Sequence, residues 1–327
     1  MIISRTPFRI SFFGGGTDYP PWFKQHGGAV LSTSFDKYCY ITCRELPPFF
    51  EHKHRIAYSK VESVVDVDHI EHPAVRAILK EMNMQQGLEI HCDADLPARS
   101  GLGSSSSFVV GMLHSLHALK GQRVTKKWLA QEAIRIEQEV LQENVGSQDQ
   151  TAAAYGGFNV IHFHHDGLFS IEPVILSVQR RETLNDHLML FFTGFSRIAS
   201  EIAKSKVANL HNKERELHNM RRMVDQALDI LTSETDIRAI GELLHTSWEY
   251  KRELSDQVSN PQIDSLYARA RQAGAIGGKL LGAGGGGFML LYVEPEKQQK
   301  VRAALHEYIH VPFKFESSGS QVIYYQP

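Results

Sequence analysis

Cysteine is scarce: Cys39, Cys43 and Cys92 are the only three in 327 residues. Their number and spacing build neither a disulfide framework nor a metal knuckle, so they are expected to be buried or half-buried thiols in a reducing compartment. No apolar run approaches the ~20 residues needed to cross a bilayer, and Met1–Pro7 lacks the layout of a signal peptide. An excess of one charge is also missing. Lys plus Arg total 35 against 37 for Asp plus Glu, a net charge of −2, which gives no electrostatic footprint for nucleic acid or an anionic membrane. His52, His54 and His72 are scattered without metal-ligand spacing. With hydrophobic residues at 42% and charged residues at 22%, these absences leave a cytoplasmic globular enzyme, long enough for two domains with real cores.

Small residues, by contrast, are concentrated in one stretch, Pro97-Ala98-Arg99-Ser100-Gly101-Leu102-Gly103-Ser104-Ser105-Ser106-Ser107. A strand-like run, Leu88–Cys92, precedes it, and an apolar run with helical spacing follows from Phe108 to Leu116 and Leu119. A helix start carries unpaired N–H groups and about half a positive charge. Glycines let the backbone approach a ligand and serine hydroxyls add short donors, so strand, loop and helix together make an anion site, most often for phosphate. The alternative is a flexible Gly/Ser linker, which the flanking strand and helix oppose. A Walker A loop is excluded because no lysine follows Gly103, and a dinucleotide fingerprint because Ser106 stands where a third glycine is required.

Ile2–Phe13 reads as a strand pair carrying Arg9, followed by Gly14-Gly15-Gly16-Thr17-Asp18-Tyr19. Three glycines before an aspartate make either a tight turn that sets a carboxylate beside a ligand or a hairpin in which Asp18 caps a turn. Val30–Cys43 alternates as a strand, Arg55–Ser59 as an edge, and Pro73–Met82 as a short helix with proline in its first turn. Thr125 is an N-cap for a helix whose Leu129, Ala133, Ile136 and Val140 share one face, with Glu137 near the buried side. The turn Gly146–Gln150, a short helix Thr151–Ala154 and a strand Phe158–Phe163 follow. Asp149 is then a functional carboxylate or a cap of that short helix. His162 and His164 share a strand face, which could bind a metal but reads rather as a polar strand end before Asp166-Gly167.

In the second half, His187–Thr193 is a buried strand, and helices are expected over about Ser200–Leu231, over Asp236–Leu254, and from Asn260-Pro261 to Gly274. Gly282, Gly284 and Gly287 spell Gly-x-Gly-x-x-Gly, but a strand follows where a dinucleotide site needs a helix. A helix Glu296–Tyr308 and a last strand Pro312–Phe315 end an α+β arrangement of two domains, residues 1–180 and 181–327.

The core Pro97, Gly101, Leu102, Gly103, Ser104, Ser105 resembles the phosphate loop of the GHMP kinases. Pro7, Arg9, Thr17, Asp18 and Tyr19 resemble the first motif of that family. Lys279 with Gly282-Ala283-Gly284-Gly285-Gly286-Gly287 resembles the third. Glu137, twelve residues before Asp149 in Gly146-Ser147-Gln148-Asp149-Gln150, fits the family's acidic pair. Within the family, Ile10–Pro20, Asp36–Thr42 and Phe192-Thr193-Gly194 with Arg197 are most similar in wording to the D-glycero-D-manno-heptose 7-phosphate kinases.

The resemblance implies a GHMP kinase fold: a ribosomal-protein-like N-terminal α/β domain and a ferredoxin-like C-terminal α+β domain, with the active site in the cleft between them. It implies ATP and Mg²⁺ as cofactors and transfer of the γ-phosphoryl to the anomeric hydroxyl of the heptose phosphate. The product would be a 1,7-bisphosphate, leading toward GDP-heptose for bacterial surface glycans. By the same resemblance Pro97, Arg99, Gly101, Leu102, Gly103, Ser104, Ser105 and Ser106 hold the ATP phosphates. Ser105 and Glu137 hold Mg²⁺, a hard cation suited to oxygen ligands. Asp149 acts as general base and Arg9 supports the acceptor oxygen. Gly15, Gly16, Thr17, Asp18, Gly284 and Gly285 contact the substrate, with Arg197 and Lys251 at its distal phosphate. Gly14-Gly15-Gly16 departs from the Gly-Glu-His of galactokinase, which argues against galactose and for a bulkier sugar or one held differently. Partners are expected to be ATP and a sugar phosphate, without nucleic acid or membrane, and a homodimer is open. Rival readings are a fucokinase-like or other anomeric sugar kinase, a non-catalytic sugar or nucleotide sensor, and a nucleic-acid binder, the last opposed by the lack of a basic stripe.

Overall fold

Ile2–Phe13 forms one strand, β1, rather than the expected pair. Pro7 has no N–H to give to a ladder, and it is accommodated where the register against β2 (Gly28–Glu45) shifts between Pro7 and Phe8. The computed structural model describes residues 1–98, 100–194 and 210–326. Arg99 and Arg197 therefore lie outside the described residues, as does the first part of the helix expected from Ser200.

The first sheet runs β13-β1-β2-β5-β3-β4. Its further members are β3 (His54–Ala57), β4 (Val61–Val64), β5 (Leu88–Ala94) and β13 (Gln321–Tyr325). On the long strand β2 also sit β6 (Phe158–Phe163), which carries β7 (Phe169–Pro173), and β12 (Phe315–Glu316). The second sheet is wholly antiparallel and runs β11-β8-β10-β9, with β8 at Leu188–Gly194, β9 at Gly277–Leu280, β10 at Gly287–Tyr292 and β11 at Ile309–His310.

The helices expected after Thr125, at Pro73 and from Asn260 form, and two more, over Pro20–His26 and Val178–Asp186, have no counterpart among the elements expected from the sequence. The first six helices are α1 (Pro20–His26), α2 (Pro73–Glu81), α3 (Ser104–Leu119), α4 (Lys126–Arg135), α5 (Gln148–Tyr155) and α6 (Val178–Asp186). Four more follow: α7 (Glu214–Thr232), α8 (Arg238–Glu253), α9 (Pro261–Ala273) and α10 (Gln298–Ala304). Thr125 Oγ1 accepts from Trp128 N at 3.1 Å and Asn260 Oδ1 from Ile263 N at 3.0 Å, so both expected caps are made. Gly274, at φ +119°, ends α9.

The tail departs from expectation. The helix placed over Glu296–Tyr308 is a 3₁₀ turn, Pro295–Lys297, followed by the shorter α10. The last-strand expectation at Pro312–Phe315 reduces to Phe315–Glu316 on β2, and Gln321–Tyr325 adds a further strand on β1. The chain therefore crosses back from the second sheet to the first. Helix α3 lies on β1 and β2, α8 lies on β9, and the sheets are joined where Lys279 of β9 donates Nζ to Phe12 O of β1 at 2.7 Å. All three cysteines are free thiols: Cys39 and Cys43 are buried and Cys92 is half-buried. Among the described residues no helix is long and apolar enough to cross a membrane.

Candidate active site

Strand β5 delivers the chain into the serine loop, and the loop feeds α3. Gly103, at φ +77°, is the N-cap, and having no side chain it leaves the first-turn N–H groups open toward a ligand. The loop is pinned from several sides. Ser100 Oγ donates to Pro97 O at 2.7 Å, Ser107 Oγ to Pro7 O at 2.9 Å, and Arg9 N to Leu102 O at 3.1 Å. Leu102 itself is fully buried.

The second glycine turn, after β9, lies directly on this loop. A Cβ added to Gly282 would fall 2.4 Å from Gly101 Cα, and one on Gly101 would fall 2.7 Å from Leu281 O. Backbone meets backbone there, which only glycine allows. Lys251, expected at the distal phosphate, donates Nζ to Leu280 O at 2.5 Å and Gly282 O at 2.7 Å and so braces the turn. Gly284 and Gly285 pack against the segment before α9: Gly285 N donates to Val258 O at 2.9 Å and Asn260 Nδ2 to Gly285 O at 3.3 Å.

Arg9 is buried on β1. Its Nε and Nη2 each donate to one oxygen of Asp149 at 2.8 Å, and Nη1 donates to Gly101 O at 2.8 Å. Fork-to-fork pairing fixes both planes. Asp149 keeps 25% of its side chain exposed, and two of its four lone-pair sites remain for another donor.

Glu137 sits in a single π turn, Ile136–Val140, that continues α4; such turns are frequent at functional sites. It is 0% exposed. Ser105 Oγ donates to its Oε1 at 2.8 Å, while Ser106 Oγ at 2.7 Å and Gln150 Nε2 donate to Oε2. These partners are hydroxyls and an amide, all uncharged, and burial pushes the carboxyl up to about 7. A buried carboxylate beside a loop hydroxyl, with no cation among those partners, is a donor set that fits one hard divalent ion shared with phosphate oxygens. Ser105 and Glu137 would hold it. Among the described residues no cluster of three or more His, Cys, Asp or Glu side chains competes for a metal.

Asp18 is buried, and burial raises its carboxyl above the ordinary range, against hydrogen bonds from Gly16 N at 2.9 Å and from Gln148. It rests on Gly146, where a Cβ would lie 1.9 Å from Asp18 Oδ2. Thr17, expected to touch substrate, has its hydroxyl buried inside the turn, donating to Gly14 O at 2.8 Å and accepting from Ala29 N at 3.2 Å. Gly15 lies beside Ser11 Oγ and Gln148 Nε2, at 3.6 Å and 3.8 Å from the place of a Cβ. Among the described residues, Ser11 Oγ and Gln148 Oε1 are buried and have no hydrogen-bond partner.

Three consecutive residues at the start of α5 thus reach three different groups: Gln148 holds Asp18, Asp149 holds Arg9, and Gln150 holds Glu137. Sequence reading had singled out only Asp149. The signal for the others was their place on either side of it in one helix turn. A cavity of about 330 Å³ lies between α7 and α8, lined by Arg215, Glu216, Thr246, Glu249, Tyr250 and Glu253. None of these belongs to the glycine turns.

Two family models match the two halves of the chain: the GHMP kinases N terminal domain over residues 68–157 and the GHMP kinases C terminal over residues 224–311. The chain belongs to the GHMP kinases. This GHMP kinase is 29% identical over 317 residues to D-glycero-alpha-D-manno-heptose 7-phosphate kinase of Campylobacter jejuni, covering 94% of this chain and 93% of that one. It is 26% identical to the bifunctional fucokinase/GDP-fucose pyrophosphorylase of Arabidopsis thaliana, covering 94% of this chain but 31% of the longer protein. Its fold is that of the D-glycero-D-manno-heptose 1-phosphate kinase from Bacteroides thetaiotaomicron, with a TM-score of 0.81, 24% identity and 100% of each chain covered. As a GHMP kinase the protein is an ATP-dependent phosphotransferase, and the family works with ATP and Mg²⁺.

Proposed function

We propose that this kinase transfers the γ-phosphoryl of ATP to the anomeric hydroxyl of D-glycero-D-manno-heptose 7-phosphate, giving the 1,7-bisphosphate. The observation that carries the transfer chemistry is the Arg9–Asp149 ion pair lying against the same loop whose serines hold Glu137. The sugar rests on the relative of that name in Campylobacter jejuni.

The residues divide the work by chemistry. The open N–H groups of α3 and the glycines Gly101 and Gly103 bind phosphate oxygens without desolvating a side chain. Mg²⁺, when bound, neutralises charge on the transferring phosphoryl group. Asp149 accepts the acceptor hydroxyl's proton on a lone pair that Arg9 leaves free, and the fixed guanidinium keeps that carboxylate aimed. Asp18, costly as a buried charge, gains when sugar hydroxyls donate to it, so sugar binding is coupled to its ionisation. Ser11 and Gln148 offer further polar atoms beside it.

Incubation with ATP, Mg²⁺ and heptose 7-phosphate, with product identification by phosphorus and carbon NMR, tests the reading. A phosphoryl group on C1 is the expected result. A parallel panel of L-fucose, galactose and heptose 1-phosphate decides the acceptor. A higher kcat/KM for L-fucose, in line with the Arabidopsis relative, would transfer the assignment to a fucokinase-like activity.

A further inference from the structure

Gln150 lies wholly inside the protein. Its amide nitrogen and Ser106 Oγ both fasten Oε2 of Glu137, whereas Oε1 is met by Ser105 Oγ at 2.8 Å. The two oxygens of one carboxylate are thereby made different: one is held by two buried donors, Ser106 and Gln150, and the other meets the exposed Ser105. Gln150 also carries a cost, since its own Oε1 is buried without a partner among the described residues. A buried amide oxygen lacking a donor destabilises the fold. As packing alone, a methionine or leucine of similar volume would serve better at this place. The donor end of Gln150 is what the site uses. The residue also follows Asp149 directly, so its bond to Glu137 ties the turn that carries Asp149 to the carboxylate facing Ser105.

We propose that Gln150 is a positioning residue for the divalent cation: acting through Glu137, it presents Oε1 toward Ser105 and the nucleotide and holds that oxygen in register with Asp149. It touches neither substrate nor cation. The inference rests on the kinase reading above.

The test uses the full-length protein with Mn²⁺ as probe. Free Mn²⁺ is measured by electron paramagnetic resonance in the presence of a non-hydrolysable ATP analogue. Nucleotide affinity without metal and the unfolding temperature are measured alongside. Gln150→Leu and the straighter Gln150→Met are both expected to weaken Mn²⁺ binding in the ternary complex by about tenfold or more, the usual effect of losing a group that orients a metal ligand. Metal-free nucleotide affinity should be unchanged, and the unfolding temperature unchanged or raised. Wild-type Mn²⁺ affinity in both variants overturns the inference while leaving the kinase reading intact. A fall in unfolding temperature together with lost metal-free nucleotide binding assigns Gln150 to the fold and overturns it as well. If the unmodified protein binds no Mn²⁺ with nucleotide, the kinase reading itself fails.

Discussion

Arg9 and Asp149, 140 residues apart in the chain, meet in two hydrogen bonds of 2.8 Å each, and the same guanidinium reaches Gly101 O. The pair joins the first strand, the phosphate loop and the start of α5 at one point. Asp149→Asn keeps the shape of the side chain but removes the charge and half of its acceptor capacity. Nucleotide affinity should stay near that of the unmodified protein, and turnover should fall by about 10²–10⁴, the usual contribution of a general base. Calorimetric titration of nucleotide and a coupled turnover assay check the two halves separately. Near-normal turnover would remove Asp149 from the chemistry.

The contact of the two glycine turns makes a paired test. Gly282, at φ +71°, and Gly121, at φ +69°, have almost the same φ, in the left-handed region. A Cβ on Gly121 meets nothing within 4 Å, whereas one on Gly282 meets Gly101 Cα at 2.4 Å. Gly121→Ala therefore bears only left-handed strain, about 1–2 kcal/mol. Gly282→Ala adds a backbone collision that no flexible side chain can relieve, so it should lose clearly more, about 3 kcal/mol or above. It should also weaken nucleotide binding, because Gly101 has to move. Equal losses in denaturant unfolding would mean that the turns separate easily and do not form one cradle.

What the chain disclosed in advance was whatever lies close together along it. The serine loop, its strand and its helix form one contiguous signal, and the caps at Thr125 and Asn260 are local hydrogen bonds between near neighbours. Relations across long separations were hidden. Nothing near Lys251 signals that two carbonyls of a turn some thirty residues on require a donor. Gln321–Tyr325 is mostly exposed and has no apolar alternation, so its pairing with β1 depends on a free edge at the other end of the chain. Glu137 was legible as buried because of Ile136 beside it, but its π turn and its hold by Gln150 come from packing α4 against α5.

Glu137 gives the protein a pH dependence of definite sign. Its carboxyl rises from an ordinary 4.5 to about 7 on folding, so the folded chain holds the proton more tightly than the unfolded one. Stability from this group is complete below about 4.5, erodes as pH climbs toward 7 and is lowest above that. Glu137→Gln abolishes the titration. In the nucleotide-free protein the variant should melt higher than the unmodified chain at about pH 8, with the gap narrowing toward about pH 5. With ATP and Mg²⁺ the order should reverse, since only the carboxylate can hold the cation. A gap independent of pH would place the ionisation elsewhere.

The thiols should react in a fixed order. Cys39 Sγ lies 3.9 Å from Cys92 Sγ across strands β2 and β5. This contact between the thiols raises Cys39 and lowers Cys92, and burial opposes the second effect. Cys43 is buried and pushed up to about 12. Thiolate is the nucleophile, so reactivity follows both its fraction and its exposure. Iodoacetamide on the native protein near neutral pH should therefore modify Cys92 first, with Cys39 and Cys43 reacting only on unfolding, as peptide mass mapping would report. Cys39→Ala removes the partner thiol that lowers Cys92 without covering Cys92, so Cys92 should then react more slowly even though it is no less accessible. Unchanged or faster labelling in that variant would show that access alone, and not the paired thiol, sets the rate.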